Sequence, residues 1–204
     1  MFARIFIADV TVLEDRELFE RLLARMPAER RNKVTGSRFD RDRRLSLGAG
    51  CLQMFAESSL KEGSDINLSH SGDLAMCIAS DCRAGCDVQI YRDNYMDIAK
   101  RFFFGSEYEL ICSQPTEGAR QEMFFRLWTL KESFMKVTRL GFALPLQDFS
   151  IDISDGGISV TQNVDDAKYS FFEYNYRDGY SVSCALRGYE GGKPGIETVD
   201  LTGL

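Results

Sequence analysis

Apolar positions along the chain follow two periods. Between Glu14 and Arg25, Leu18, Phe19, Leu22 and Leu23 recur at helical spacing, whereas "RIFIAD" at Arg4–Asp9 reads as a strand. Pro27 opens a short basic helix, "PAERRNKV", which Gly36 breaks. From Phe39 to about Leu60 the pattern predicts a long helix with Leu45, Leu52 and Phe55 toward the core. Its middle, "SLGAG", is small enough to predict close approach of another backbone. "INLSHSGDLAMCIAS" reads as two strands around a turn at Ser71–Gly72–Asp73, and "GCDVQI" as a third, entered through Gly85. Asn94 to Phe104 is helical, and Ser106 is the expected N-cap of the next helix, "EYELICS". A long helix runs from Arg120 to about Thr138, with Gly141 as its stop and Pro145 preventing resumption. Three or four strands follow, from "DFSIDIS", "GISVTQN", "KYSFFEYNY" and "GYSVSCALR", the last two joined at Asp178–Gly179. The tail "GYEGGKPGIETVDLTGL" reads as loosely held. Helices and strands intermix and short turns join neighbouring strands, which predicts an α+β fold with antiparallel sheets.

Composition narrows this picture. The 204 residues suffice for a core without staples, and 44% apolar with 27% charged residues is the range of a globular chain. No apolar run approaches the ~20 residues of a membrane span, and the N-terminus lacks a signal-peptide pattern. The expectation is a cytoplasmic protein acting away from membranes. Six cysteines lack any C-x-x-C pair and there is one histidine, which argues against zinc and for reduced thiols. Cys77 and Cys184, in strand-like runs, read as small buried hydrophobes. A net charge of −6 argues against nucleic-acid binding. Yet Arg16–Arg44 holds ten basic and five acidic residues, a local +5. Charge alone favours solvated helices laced with ion pairs there, while a small polyanion or an acidic partner is the other reading.

Candidate chemistry concentrates in "FFRLWTLKESFMK". On a helix Trp128, Glu132 and Lys136 share one side, with Lys131 beside Glu132. Taken alone this is a surface Glu132–Lys136 ion pair worth a few tenths of a kcal/mol. Asp87 stands in a short apolar strand, where a carboxylate needs a cation or donors, and Mg²⁺ needs few carboxylates. His70, flanked by Ser69 and Ser71 before Gly72, suits either a structural hydrogen bond or a phosphate-contacting turn. Glu107 complements a helix dipole.

The order "NLSHS", "GCDV", "AKRFFFGSEYEL", "LWTLKESFMK" and "GFALPL" resembles the Sfp/Gsp-type 4′-phosphopantetheinyl transferases, from about Pro27 to Leu186. That resemblance implies two similar α/β halves related by a pseudo-twofold, 1–90 and 91–204, in a monomer. It implies transfer of the 4′-phosphopantetheine arm of coenzyme A to a serine of an apo acyl or peptidyl carrier protein. Asp87 and Glu132 would hold Mg²⁺, with Gln89 standing where the family commonly has Glu. Lys136, His70, Ser69 and Lys131 would meet coenzyme A phosphates. Arg44, with Arg30 and Lys33, would grip the 3′-phosphate, and Trp128 would support packing. Glu132, or Glu107 through a water, would accept the serine proton. The Gly-Lys-Pro loop of many relatives is absent before "NLSHS", and "GGKPG" at 191–195 lies elsewhere. A degenerate homologue that binds coenzyme A or carrier protein without transfer is the alternative.

Overall fold

A computed structural model describes residues 1–59 and 64–204. The expected helix end near Leu60 lies outside them. Four layers stack on three cores. Helices α1 (Arg16–Arg25), α2 (Ala28–Gly36) and α3 (Asp40–Ser59) cover one face of a four-stranded sheet. That sheet is ordered β2-β3-β1-β9, from β1 (Ala3–Asp9), β2 (Asp65–Ser71), β3 (Leu74–Ser80) and β9 (Gly195–Thr198). β1 is antiparallel to β3 and parallel to β9. Strand alternation sends Phe6 and Ala8 to the helices, and Ile5 and Ile7 to a second core.

That second core backs onto a three-stranded sheet, ordered β4-β8-β7, of β4 (Ala84–Ile90), β7 (Tyr169–Tyr174) and β8 (Tyr180–Arg187). Cys86, Val88, Val182 and Cys184 enter it. The opposite face packs on α6 (Glu117–Thr138), with α4 (Tyr95–Phe102), α5 (Gly105–Cys112) and the hairpin β5 (Ser150–Ser154) to β6 (Gly157–Thr161) completing the third core. The α+β class is as the pattern predicts, and the small sheets are antiparallel except at the parallel β1–β9 pair.

Several local expectations change. The close neighbours of "SLGAG" are side chains: a Cβ on Gly48 would stand 2.4 Å from Val10 Cγ1. The close backbone approach occurs at Gly85 instead, where a Cβ would stand 2.2 Å from the Ser133 carbonyl oxygen. Helix α5 starts at Gly105 rather than after Ser106, and Glu107 accepts the Phe104 N–H at 2.9 Å. At the end of α6 the cap is a left-handed Arg139 (φ 64°), and Gly141 two places on is left-handed as well (φ 53°). The tail is built in: β9 pairs with β1, Val199 donates its N–H to Ile7 at 2.8 Å, and Val199 and Leu201 are buried.

β2 and β4 belong to different sheets, yet side chains join them. Asp65, Asn67, Ser69 and Ser71 accept the N–H groups of Ala84, Cys86, Val88 and Ile90 at 2.7, 3.0, 3.3 and 3.2 Å. The alternation in "DINLSHS" therefore supplies acceptors to the edge of β4, whose donors would otherwise be buried unpaired.

Candidate active site at the β4–α6 contact

Gly85, Asp87 and Gln89 alternate to the α6 side of β4. Small polar residues set the helix against the sheet: Thr129 Oγ1 meets Ser181 Oγ, and Ser133 Oγ meets Ser183 Oγ, both at 2.9 Å. In register, Ser183 faces Asp87 and Ser181 faces Gln89. These four small residues were not singled out in the sequence, where they read as ordinary helix and strand positions. Their i, i+4 and i, i+2 spacing was the available signal.

This packing places the rim of α6 over Asp87. Asp87 Oδ1 accepts from Lys136 Nζ and Ser69 Oγ, each at 2.7 Å, and Lys136 Nζ also donates to the Cys86 carbonyl at 2.9 Å. The Glu132–Lys136 surface pair that the helix taken alone suggests does not form, and Lys136 pairs with Asp87. Burial opposes charge on Lys136, but Asp87, Cys86 and Glu132 outweigh it and hold its pKa above the ordinary value. Glu132 has no hydrogen bond and no ion pair within 4 Å among the described residues. Burial and the Asp87 carboxylate raise its pKa, with Lys136 only partly offsetting them. Gln89 is half-buried on the same face, its amide donating to the Ile90 carbonyl at 3.3 Å.

These donors fit a hard divalent cation. Asp87 Oδ2 carries no hydrogen bond among the described residues, and Glu132 is half-buried beside a like charge that a cation would relieve. The described residues hold no cluster of three or more His, Cys, Asp or Glu suited to a metal, so the set is two carboxylates with a neutral Gln89.

Two expected site residues stand elsewhere. Lys131 is fully buried, its Nζ donating to Glu107 Oε1 and Oε2 at 2.7 and 2.8 Å and to the Phe149 carbonyl at 2.8 Å. It also lies 4.2 Å from the centre of the Phe149 ring. Glu107 additionally accepts the N–H groups of Phe104 and Ile151. Every donor of Lys131 is used and Glu107 is sealed from water, so neither reaches a phosphate or a serine. Together they lock α5, α6 and β5.

His70 is an exposed residue of β2 whose ring is nonetheless partly shielded from water, and its charge environment includes Lys136, Lys33 and Asp42. Burial, then Lys136 and Lys33, hold its pKa below the ordinary value. Arg30 and Lys33 share a groove of about 280 Å³ with Glu29, Gly50, Gln53 and Glu57. Arg44 faces a different groove and pairs with Glu14 at 3.2 Å, so it does not join them. One turn before Gly50, the buried hydroxyl of Ser46 has no hydrogen-bond partner among the described residues. Trp128 packs on Phe124 and Phe103. With Glu132, Phe102, Met135 and Leu144 it lines an open apolar pocket of about 810 Å³.

Residues 83–185, half of the chain, match the 4′-phosphopantetheinyl transferase superfamily. The chain belongs to that superfamily. Asp87, Gln89, Trp128, Glu132 and Lys136 fall inside the segment that defines membership, while Ser69, His70, Arg30 and Lys33 precede it. A 4′-phosphopantetheinyl transferase, psf-1, of Bacillus pumilus is 41% identical over 92 residues, 45% of this chain and 39% of that one. Sfp of Bacillus subtilis is 33% identical over 121 residues, 58% of this chain and 54% of that one. A holo-(acyl-carrier-protein) synthase structure from Bacillus anthracis, in complex with coenzyme A, gives a TM-score of 0.46 at 12% identity, over 52% and 95% of the two chains. This superfamily member thus spans about half the length, or less, of the curated relatives it matches. Among its described residues no helix is long and apolar enough to cross a membrane.

Proposed function

We propose that the chain transfers the 4′-phosphopantetheine group of coenzyme A to a serine of an apo carrier protein, with Mg²⁺ held by Asp87 and Glu132. The observation that carries this reading is the Asp87–Lys136 contact at 2.7 Å between β4 and α6, with the half-buried Glu132 in the field of both charges. Superfamily membership supports the reaction class.

Mg²⁺, when bound, would neutralise charge on the coenzyme A pyrophosphate. Lys136 carries a fixed positive charge at the rim and exchanges Asp87 for the phosphate under attack. His70, with Lys33 and Arg30 in the neighbouring groove, contacts the remaining phosphates. The serine Oγ bonds to the phosphorus nearest pantetheine, and the bond to adenosine 3′,5′-bisphosphate breaks. The serine proton passes to Glu132 or to water. The apolar pocket beside Glu132 offers room for an uncharged arm.

The test is the mass of a carrier protein after incubation with coenzyme A and Mg²⁺. A gain of one phosphopantetheine, abolished by Glu132→Ala, is expected. Coenzyme A binding without transfer to any of several carriers would instead mark a non-catalytic homologue.

A further inference from the structure

The resemblance groups Ser69 with the phosphate contacts. Its surroundings give it another partner. Ser69 is buried at 8% exposure, and its Oγ stands 2.7 Å from Asp87 Oδ1 and 3.3 Å from the Val88 nitrogen. A hydroxyl has one hydrogen. The Val88 N–H can only donate, so it takes a lone pair of Oγ, and the hydroxyl hydrogen is left for the acceptor-only carboxylate. Of the four β2 side chains that serve the edge of β4, Ser69 alone also holds a carboxylate of the site.

We infer that Ser69 is a positioning residue for Asp87, fixing Oδ1 so that Oδ2, which carries no hydrogen bond among the described residues, stays free for the metal. The inference rests on the metal-holding role proposed above. Asp87 Oδ1 has two donors, Ser69 and Lys136, and they differ in permanence. Lys136 has a long flexible stem and is the group that turns to substrate phosphate. Ser69 is short, in a strand, and tied by Val88, so it keeps the carboxylate oriented when Lys136 leaves. Because Oγ is spent on two protein partners, it has nothing to offer a phosphate.

The experiment compares wild type with Ser69→Ala and Ser69→Thr, using Mn²⁺ as the spin-active stand-in for Mg²⁺. Mn²⁺ affinity without coenzyme A, the KM for coenzyme A at saturating metal, and thermal stability are all measured. Ser69→Ala is expected to weaken Mn²⁺ binding about tenfold, the scale for removing a hydrogen bond to a metal ligand, with KM for coenzyme A unchanged. Ser69→Thr, which keeps the hydroxyl, is expected to restore binding. Unchanged Mn²⁺ affinity in Ser69→Ala, with a raised KM or only a lower melting temperature, would overturn the positioning role and leave the metal site standing. No Mn²⁺ binding by wild type would overturn the metal site itself and this role with it.

Discussion

Burial and the neighbouring Asp87 carboxylate hold the Glu132 carboxyl above its ordinary range, so the fold keeps a proton there that the unfolded chain has released. Between the unfolded and folded pKa values the native state binds more protons, and stability falls as pH rises through that window. Glu132→Gln removes the charge and should stabilise the metal-free protein at pH 8 by about 0.5–2 kcal/mol, the usual relief at a functional site. The difference should shrink as pH falls below the unfolded carboxylate value. Urea unfolding at pH 8 and pH 4 checks this, and equal stabilities at pH 8 would refute it. Gln89 makes the complementary case. It shares the face of Asp87 but brings no charge, so Gln89→Glu should tighten Mg²⁺ binding and lower the Mg²⁺ needed for half-maximal transfer. An unchanged Mg²⁺ dependence would dismiss a metal contact at this position.

Among elements, the seating of α6 on β4 decides whether the site exists. A Cβ at residue 85 would stand 2.2 Å from the Ser133 carbonyl and 2.6 Å from the Val137 nitrogen, both backbone atoms of α6. Gly85→Ala should therefore lift the helix, cost about 1–3 kcal/mol as overpacking does, and part Glu132 and Lys136 from Asp87. Chemical denaturation and Mn²⁺ titration check it; unchanged Mn²⁺ affinity would mean that the helix shift does not reach the carboxylates. The Lys131–Glu107 pair ties α6 to α5 and β5. Lys131→Met leaves a buried carboxylate without its cation and should cost about 3–5 kcal/mol. Adding Glu107→Gln, which still accepts backbone N–H groups, should recover part of that loss in a double-mutant cycle. An additive cycle would count against the pair as the source of the loss. The site's members at β4 and α6 were legible because a lone aspartate in an apolar strand and charges on one helical stripe are visible in sequence order. The direction each charge faces was not. Lys131 and Glu132 are adjacent, and one residue is a turn of about 100° on a helix, enough to send one into the core and the other to the rim. Ser69 was invisible as a positioning group because its partner lies eighteen residues away in another sheet.

At the scale of the whole molecule, the two sheets are joined by side chains of β2 and by the core between them, and the end of the chain closes the outer sheet. The sequence of the tail, with its glycines and no alternation, hid this: β9 is four residues long and mostly exposed, and its support comes from β1, at the other end of the chain. Val199 and Leu201 follow β9 into the helical core, and Arg21 donates to the Thr202 carbonyl at 3.0 Å. Removing residues 195–204 strips β1 of its parallel partner and exposes apolar surface on which α1 and α3 rest. Burying a large aliphatic side chain contributes about 1.5–3 kcal/mol, and the tail loses backbone entropy when it orders, so the expected net loss is on the order of 3 kcal/mol. None of Asp87, Glu132 or Lys136 touches this region. The truncated chain should unfold at lower urea with a similar slope, yet hold Mn²⁺ with wild-type affinity at low temperature, where it remains folded. An unchanged urea midpoint would show that the tail adds nothing to the sheet. A lower midpoint with lost Mn²⁺ binding in folded protein would show that the outer sheet positions β4 through the side chains of β2.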